Sequence, residues 1–144
     1  MRFMGLDLGT RTIGVAVSDA MGLIARGVET IHRKGEKKDL ARLKELVQQE
    51  EVEAFVLGYP KNMNGTVGER AKASEAFKAV LEQEFPSMQI ILWDERLSTV
   101  AAEKVLVAAD VQRKKRKGII DMMAAVVILQ NYLDSLGRCL HGDV

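Results

Sequence analysis

Residues 2–8, with Phe3, Met4, Leu6 and Leu8, predict a buried strand. Across 12–18, Ile13, Val15 and Val17 alternate with Gly14, Ala16 and Ser18, the period-two pattern of a second strand. Only Gly9, Thr10 and Arg11 separate the two, a link short enough for a hairpin. Gly22 marks another turn, and 24–32 completes an antiparallel meander. The period then lengthens. Leu40, Leu43, Leu46 and Val47 follow helical spacing among charged residues. Val52 to Leu57 is an apolar strand ending at Gly58. Thr66 with Glu69 fits a helix-opening capping box, after which Ala73, Ala76, Phe77, Val80 and Leu81 trace one helix face that stops before Pro86. Met88 to Trp93 is a further strand. Ser98 is placed to cap a helix over 99–109, and a last helix spans 119–135.

The order is β-β-β-α-β-α-β-α-α. Strands 1, 4 and 5 are joined through helices, as parallel neighbours are, and right-handed crossovers set them side by side. The expected fold class is α/β, a five-stranded mixed sheet of order 3-2-1-4-5 with helices on both faces, in a single domain over 1–144. Ligands in such sheets bind beyond the carboxyl ends of the parallel strands. That edge collects Asp7, the loop 58–65, and Asp94-Glu95-Arg96.

Composition narrows the classes. The chain has 144 residues, 47% hydrophobic and 28% charged, a globular balance. Such a length buries roughly 70% of its unfolded surface and needs no disulfide or structural metal to fold. The lone Cys139 excludes an internal disulfide and a zinc knuckle. Short apolar runs and early charges at Arg2 and Asp7 argue against a spanning helix and a signal peptide, so a cytoplasmic protein with no membrane partner is expected. The net charge of +1 says little, but Arg113, Lys114, Lys115, Arg116 and Lys117 form an unbroken basic run, and Arg33, Lys34, Lys37 and Lys38 a looser one. Either run reads as a solvated loop or as an anion contact.

Three acids stand out. Asp7 lies among apolar and small residues, where a carboxylate needs a cation, a metal or several donors; it also reads as a turn Asp or as a partner of Arg11. Asp94 and Glu95 follow an apolar strand, where charge is ordinary. Asp121 heads a stripe through Ala124, Ala125, Ile128 and Tyr132, which faces the sheet; the competing reading is an N-cap carboxylate. The small pair Ala124-Ala125 lets that helix approach closely. Three carboxylates converging on one edge suit Mg²⁺ or Mn²⁺, which take oxygen ligands, and two such ions can hydrolyse a phosphodiester. The chain has no Gly-Lys dipeptide, hence no Walker A loop, and no Gly-x-Gly-x-x-Gly. His32, His141 and Cys139 have no partner at ligand spacing.

Four motifs together resemble the YqgF/RuvX family. They are Gly5-Leu6-Asp7-Leu8-Gly9-Thr10-Arg11-Thr12-Ile13-Gly14, then Leu57-Gly58-Tyr59-Pro60-Lys61-Asn62-Met63-Asn64-Gly65, then Asp94-Glu95-Arg96-Leu97-Ser98-Thr99, then Lys117-Gly118-Ile119-Ile120-Asp121 with Ala124-Ala125 and Ile128-Leu129. The resemblance spans essentially the whole chain. It implies a ribonuclease H-like fold related to the RuvC resolvases, and a metal-dependent nuclease with Asp7, Glu95 and Asp121 as acidic triad and metal ligands, holding two Mg²⁺ or Mn²⁺ ions. It also selects Glu95 over Asp94. Family members are described as Holliday junction resolvases or as nucleases that mature the 5′ end of 16S ribosomal RNA. On this reading Lys117 neutralises the scissile phosphate. Arg11 and Arg96 flank two of the acids and hold neighbouring phosphates or tether carboxylates, Lys61, Asn62 and Asn64 lie on a loop that reaches phosphate or base, and Arg113, Lys114, Lys115 and Arg116 bind backbone.

Structured RNA is the favoured partner and branched DNA the alternative. A resolvase cutting two strands symmetrically favours a homodimer; the sequence is equally compatible with a monomer. Two other classes compete. The Gly5–Thr10 segment also resembles the phosphate hairpin of actin-like ATPases and sugar kinases, but those close two such domains around a nucleotide. A non-catalytic nucleic-acid-binding module would be favoured by loss of an acid, and all three are present.

Overall fold

A computed structural model of the chain describes residues 1–61, 64–95 and 116–141, with the side chains of 116–121 and 137–141 outside that description. Its elements are β1 (Phe3–Leu8), β2 (Thr12–Ser18), β3 (Ala25–His32), α1 (Glu36–Glu50), β4 (Ala54–Tyr59), α2 (Glu69–Glu84), β5 (Gln89–Asp94) and α3 (Arg116–His141). The five strands form one sheet of order β3-β2-β1-β4-β5. β2 is antiparallel to β1 and β3, and β4 is parallel to both β1 and β5. The architecture is the expected α/β one. The helix expected over 99–109, with Ser98, lies outside the described residues.

The β1–β2 link is the tight turn its length implies, closed by the Gly9 N–H donating to the Thr12 carbonyl at 2.8 Å. At the other end of the meander the Asp19 carboxylate accepts from the Leu23 and Ile24 N–H groups at 2.7 and 3.2 Å, and Gly22 adopts φ +70°. Those two backbone donors hold the Asp19 carboxyl below its ordinary range.

Several boundaries differ from the sequence pattern. The Thr66–Glu69 capping box does not form. Gly68 is the N-cap, no side chain caps α2, and Thr66 instead donates its N–H and hydroxyl to Asn64 Oδ1 at 3.0 and 2.7 Å. Here the local Asx interaction outcompetes the helix cap. The buried stripe of α2 is Ala71, Ser74, Phe77 and Leu81, whereas Ala73 and Ala76 are exposed. Alanine carries too little apolar area to set a helix's rotation; Phe77 and Leu81 set it. β4 runs two residues later than expected, because its register pairs Phe3 with Ala54 and brings Gly58 and Tyr59 into the strand. α3 begins at Arg116 and not at 119, through Gly118, since a single glycine weakens a helix without stopping it.

The sheet has two unlike faces. On one, Met4, Leu6, Leu8, Val15, Phe55 and Leu57 pack under Leu40, Leu43 and Leu46 of α1 and Phe77 and Leu81 of α2. On the other, β1, β2 and β3 contribute a row of small residues, flanked by Phe3, Val56, Ile91 and Trp93. Gly5 of β1 pairs with Ala16 of β2, which pairs with Gly27 of β3. α3 lies on that face with Ala124, Ala125, Ile128, Leu129 and Leu133 buried. A Cβ added at Gly5 would sit 2.7 Å from the Leu129 Cβ and 3.0 Å from the Ala125 carbonyl oxygen. For a Cβ at Gly27 the three nearest atoms all belong to the Met122 side chain, the first at 2.8 Å. No described helix is long and apolar enough to cross a membrane.

The two glycines should therefore respond differently to the same change. Gly5→Ala pushes backbone against backbone and should lower unfolding stability by about 1–3 kcal/mol. Gly27→Ala displaces only a flexible methionine and should stay within about 1 kcal/mol of the parent. Urea denaturation of both variants checks the ranking, and equal losses would contradict it.

Candidate active site

Side-chain alternation assigns the faces. Met4, Leu6 and Leu8 belong to the core beneath α1 and α2, and Phe3 to the core beneath α3. Asp7 has the parity of Phe3 and Gly5, so it shares the α3 face at the carboxyl end of β1. It is 4% exposed and pairs across the sheet with Gly14, which has no side chain to crowd it.

Glu95 reaches the same place from β5. Ile91 and Trp93 pack on the α3 core, and the Trp93 ring stands edge-on to Tyr132 at 5.5 Å. Glu95, two residues beyond Trp93, keeps that side. A Cβ at Gly58 would lie 3.0 Å from Glu95 Oε2 and 2.7 Å from Ile128 Cδ1. The Glu95 carboxylate thus lies over Gly58. Leu6 pairs with Leu57, so the next step of the register sets Asp7 beside Gly58. The two carboxylates flank one glycine on the central parallel strand.

Asp94 has the opposite parity and takes the other face. There the Tyr59 hydroxyl donates to Glu75 at 2.8 Å. This hydrogen bond is the main cause that raises the Tyr59 phenol above its ordinary pKa, with burial and then the charges of Glu75 and Asp94 adding to it.

Position 121 is placed by the run of α3. The Phe3 and Tyr132 rings meet at 5.6 Å, and Gly5 faces Ala125 and Leu129, so α3 runs antiparallel to β1. Two strand residues advance about 6.6 Å and four helix residues about 6 Å. The next such step brings the backbone of 121 level with Asp7. Because α3 begins at Arg116, residue 121 is inside the helix, and the N-cap reading does not hold. Position 117 is one turn earlier on the same helix face.

The remaining expected residues are scattered around this edge. Arg11 is exposed on the β1–β2 turn. Lys61 places its Nζ 5.5 Å from the Tyr59 ring centroid. Asn64 is exposed, and its side-chain oxygen is engaged by Thr66. Asn62, Arg96, Arg113, Lys114 and Lys115 lie outside the described residues, as do the side chains of Arg116, Lys117 and Asp121. Among the described residues no three His, Cys, Asp or Glu side chains group as a metal centre; Asp7 and Glu95 supply two. Their chemistry suits a hard divalent cation, since both offer carboxylate oxygens, and the missing side chain of Gly58 admits that of Glu95.

Two features of the site were not expected from the sequence. One is Gly58, read there as a turn residue. The other is a clamp behind the β1–β2 turn. Arg33 donates from Nη1 to the Gly9 carbonyl at 2.7 Å and pairs through Nε with Asp39 at 3.5 Å, and Asp39 is 2% exposed. Nothing in the sequence distinguishes this arginine from its basic neighbours.

A family model described as RuvX, Holliday junction resolvase, matches residues 1–135. The chain belongs to the RuvX family. A relative from Geobacillus sp. (strain WCH70), provisionally named a pre-16S rRNA nuclease, is 61% identical over 137 residues, 94% of this chain and 99% of that protein. One of the same name from Bacillus subtilis (strain 168) is 58% identical over 138 residues with the same coverage. Among solved structures, Thermus thermophilus RuvC in complex with a Holliday junction substrate superposes with a TM-score of 0.57 at 17% identity, over 95% of this chain and 97% of that one. The fowlpox virus resolvase with Holliday junction DNA gives 0.53 at 10% identity, over 94% and 99%. At these identities the likeness is one of fold, the ribonuclease H-like fold of the RuvC resolvases.

Gly58 is the point at which this RuvX chain's packing and its acids meet. Gly58→Ala should leave the fold intact, because Ile128 Cδ1 is the free end of a side chain, but it must displace the Glu95 carboxylate. The expected result is a small change in melting temperature without metal and, on the metal-binding role expected of these acids, a loss of at least about half of the thermal shift expected of Mn²⁺ with the parent. An undiminished Mn²⁺ shift would show that Glu95 and Gly58 do not meet as described.

Proposed function

We propose that this chain is a metal-dependent nuclease that hydrolyses phosphodiester bonds, and that its task is 5′-end maturation of precursor 16S ribosomal RNA in the cytoplasm. The observation that carries the reading is the placement of Asp7 and Glu95 on either side of Gly58, at the carboxyl edge of three parallel strands. The names of the relatives at 58–61% identity supply the substrate class.

Asp7, Glu95 and Asp121 would hold Mg²⁺ or Mn²⁺, in a two-ion arrangement. Bound there, such ions lower the pKa of an attacking water and stabilise the leaving oxygen. The chain's own contribution is position. Asp7 is fixed within a five-stranded sheet, and Glu95 is held at a strand exit, so both ligands are set before substrate arrives. Lys117, one turn from 121, would stabilise charge developing on the scissile phosphate. Arg11, Lys61, Asn62, Asn64, Arg96 and the run 113–116 would hold neighbouring phosphates.

A second reading is supported by the family's description and by the junction complexes of its fold neighbours: cleavage of branched DNA as a Holliday junction resolvase. Metal-dependent cleavage of precursor ribosomal RNA and of a four-way DNA junction, measured side by side, separates the two. Cleavage of neither, with binding of either, supports a non-catalytic nucleic-acid-binding module.

Asp7→Asn, Glu95→Gln and Asp121→Asn should each cut the cleavage rate by more than about a hundredfold while leaving the protein folded. In metal-free buffer their melting temperatures should equal or exceed the parent's, because like charges at one site repel. Parental turnover by Asp121→Asn at saturating metal would remove that residue from the ligand set.

Lys117→Ala should lower the single-turnover rate at saturating substrate by roughly ten- to a thousandfold with only a modest loss of affinity. A variant that loses affinity alone would show that Lys117 is one more member of an electrostatic strip.

A further inference from the structure

The looser basic run, Arg33 to Lys38, is not absorbed by the site above. The structure divides it. Arg33 faces inward and is consumed by Gly9 and Asp39. Lys34, Lys37 and Lys38 are exposed, and among the described residues none of their ammonium groups is in an ion pair. The acids nearby are already used. Glu29 is held by Arg42 at 2.6 and 2.9 Å, and Asp39 by Arg33 and by the Lys34 N–H at 3.1 Å. Glu36 is the one further carboxylate on this segment, against three lysines. The local charge is therefore positive and not neutralised from within.

Lys34 and Lys38 border an open cavity of about 270 Å³ at the outer edge of β3, which Thr30, His32 and Arg42 also line together with the ion-paired carboxylates Glu29 and Asp39. The same segment is tied to the turn that follows Asp7. The Arg33 N–H donates to the Arg11 carbonyl at 2.8 Å, beside the Arg33–Gly9 bond. Arg11 is itself exposed and in no ion pair among the described residues. Arg11 on the turn and Lys34, Lys37 and Lys38 on the segment bonded to it thus carry exposed positive charge that no ion pair among the described residues neutralises, next to the turn that follows Asp7.

We propose that the β3–α1 link and the first turns of α1 form a second phosphate-binding site, which grips the sugar–phosphate backbone of the substrate strand some nucleotides away from the bond that is cut. The inference rests on the nucleic-acid-cleaving reading above and extends it: the acidic edge performs the chemistry, and the lysines set how long a substrate must be to bind well. Such contacts carry affinity and salt dependence, not sequence information or transition-state stabilisation.

The test compares the full chain with a Lys34→Ala/Lys37→Ala/Lys38→Ala variant. Binding to a labelled precursor 16S ribosomal RNA fragment and to a labelled four-way DNA junction is titrated against salt in chelating buffer. Cleavage is then measured in Mg²⁺ and Mn²⁺ on the long substrate and on a minimal one. The slope of log affinity against log salt should fall by about two to three, and affinity near 0.1 M salt by about tenfold or more. The minimal substrate should be cut at the parental rate at saturation, and the melting temperature should be unchanged. An unchanged salt slope overturns the proposal, as does a parent that binds neither nucleic acid. A parent that binds both but cleaves neither refutes the nuclease reading, while the change in slope still decides the lysine site.

Discussion

The closeness of α3 to the sheet is the constraint on which the rest depends. Gly5, Ala16 and Gly27 form a row without bulk across three strands, and Gly5 leaves no room for a methyl group beneath Leu129. A helix normally stands about 8–10 Å from its neighbour on a layer of side chains. Along this row the sheet contributes almost no side chain, so at Gly5 the backbone of α3 itself comes close to β1. That proximity sets the height of α3, and the antiparallel run of its residues against β1 sets which position arrives level with Asp7. Where the backbone of 121 comes level with the sheet edge is thus set about two turns away, at Gly5 and Leu129.

The opposite face supplies the rigidity that such a thin contact lacks. There α1 and α2 bury leucines, phenylalanines and valines against Met4, Leu6, Phe55 and Leu57, at roughly 1.5–3 kcal/mol for each fully buried side chain. That core backs the sheet, whose other face carries α3. The clamp through Arg33 works in the same sense, since it holds the turn after Asp7 to the start of α1. A carboxylate nearly removed from solvent, as Asp7 is, tolerates little drift, because its desolvation is offset only by what it touches.

The fold was largely legible in the chain because its two periods are clean. Alternation in 12–18, the helical spacing of Leu40, Leu43 and Leu46, and the helix-linked order of strands 1, 4 and 5 suffice for the sheet order observed. Ends were less legible. Thr66 reads as a cap, yet it bonds to Asn64, a choice between two local hydrogen bonds of similar strength. Within the acids, the apolar strand 90–93 hides its parity, so only the family resemblance favoured Glu95 over Asp94 at the sequence level. The structure supplies the physical distinction. Trp93 packs toward α3, which commits Glu95 to the same side as Asp7 and sends Asp94 toward Tyr59. The role of Gly58 was not legible at all, because a glycine after an apolar run reads as a turn until the strand register is known.

Gly58 shows why the face under α3, and not the one under α1 and α2, bears the acids. A row of small residues under a close helix leaves pockets wherever the helix side chains do not fill the gap. At Gly58 that gap is shared between Ile128, which seals the core, and the Glu95 carboxylate, which opens toward solvent. One missing side chain serves both purposes. Any residue with a Cβ at that position would have to choose between the packing of α3 and the placement of the carboxylate. The same absence of bulk at Gly14 leaves Asp7 uncrowded from the other side. The acidic edge is therefore the continuation of the helix-packing floor to the point where the helix side chains give out and carboxylates take their place.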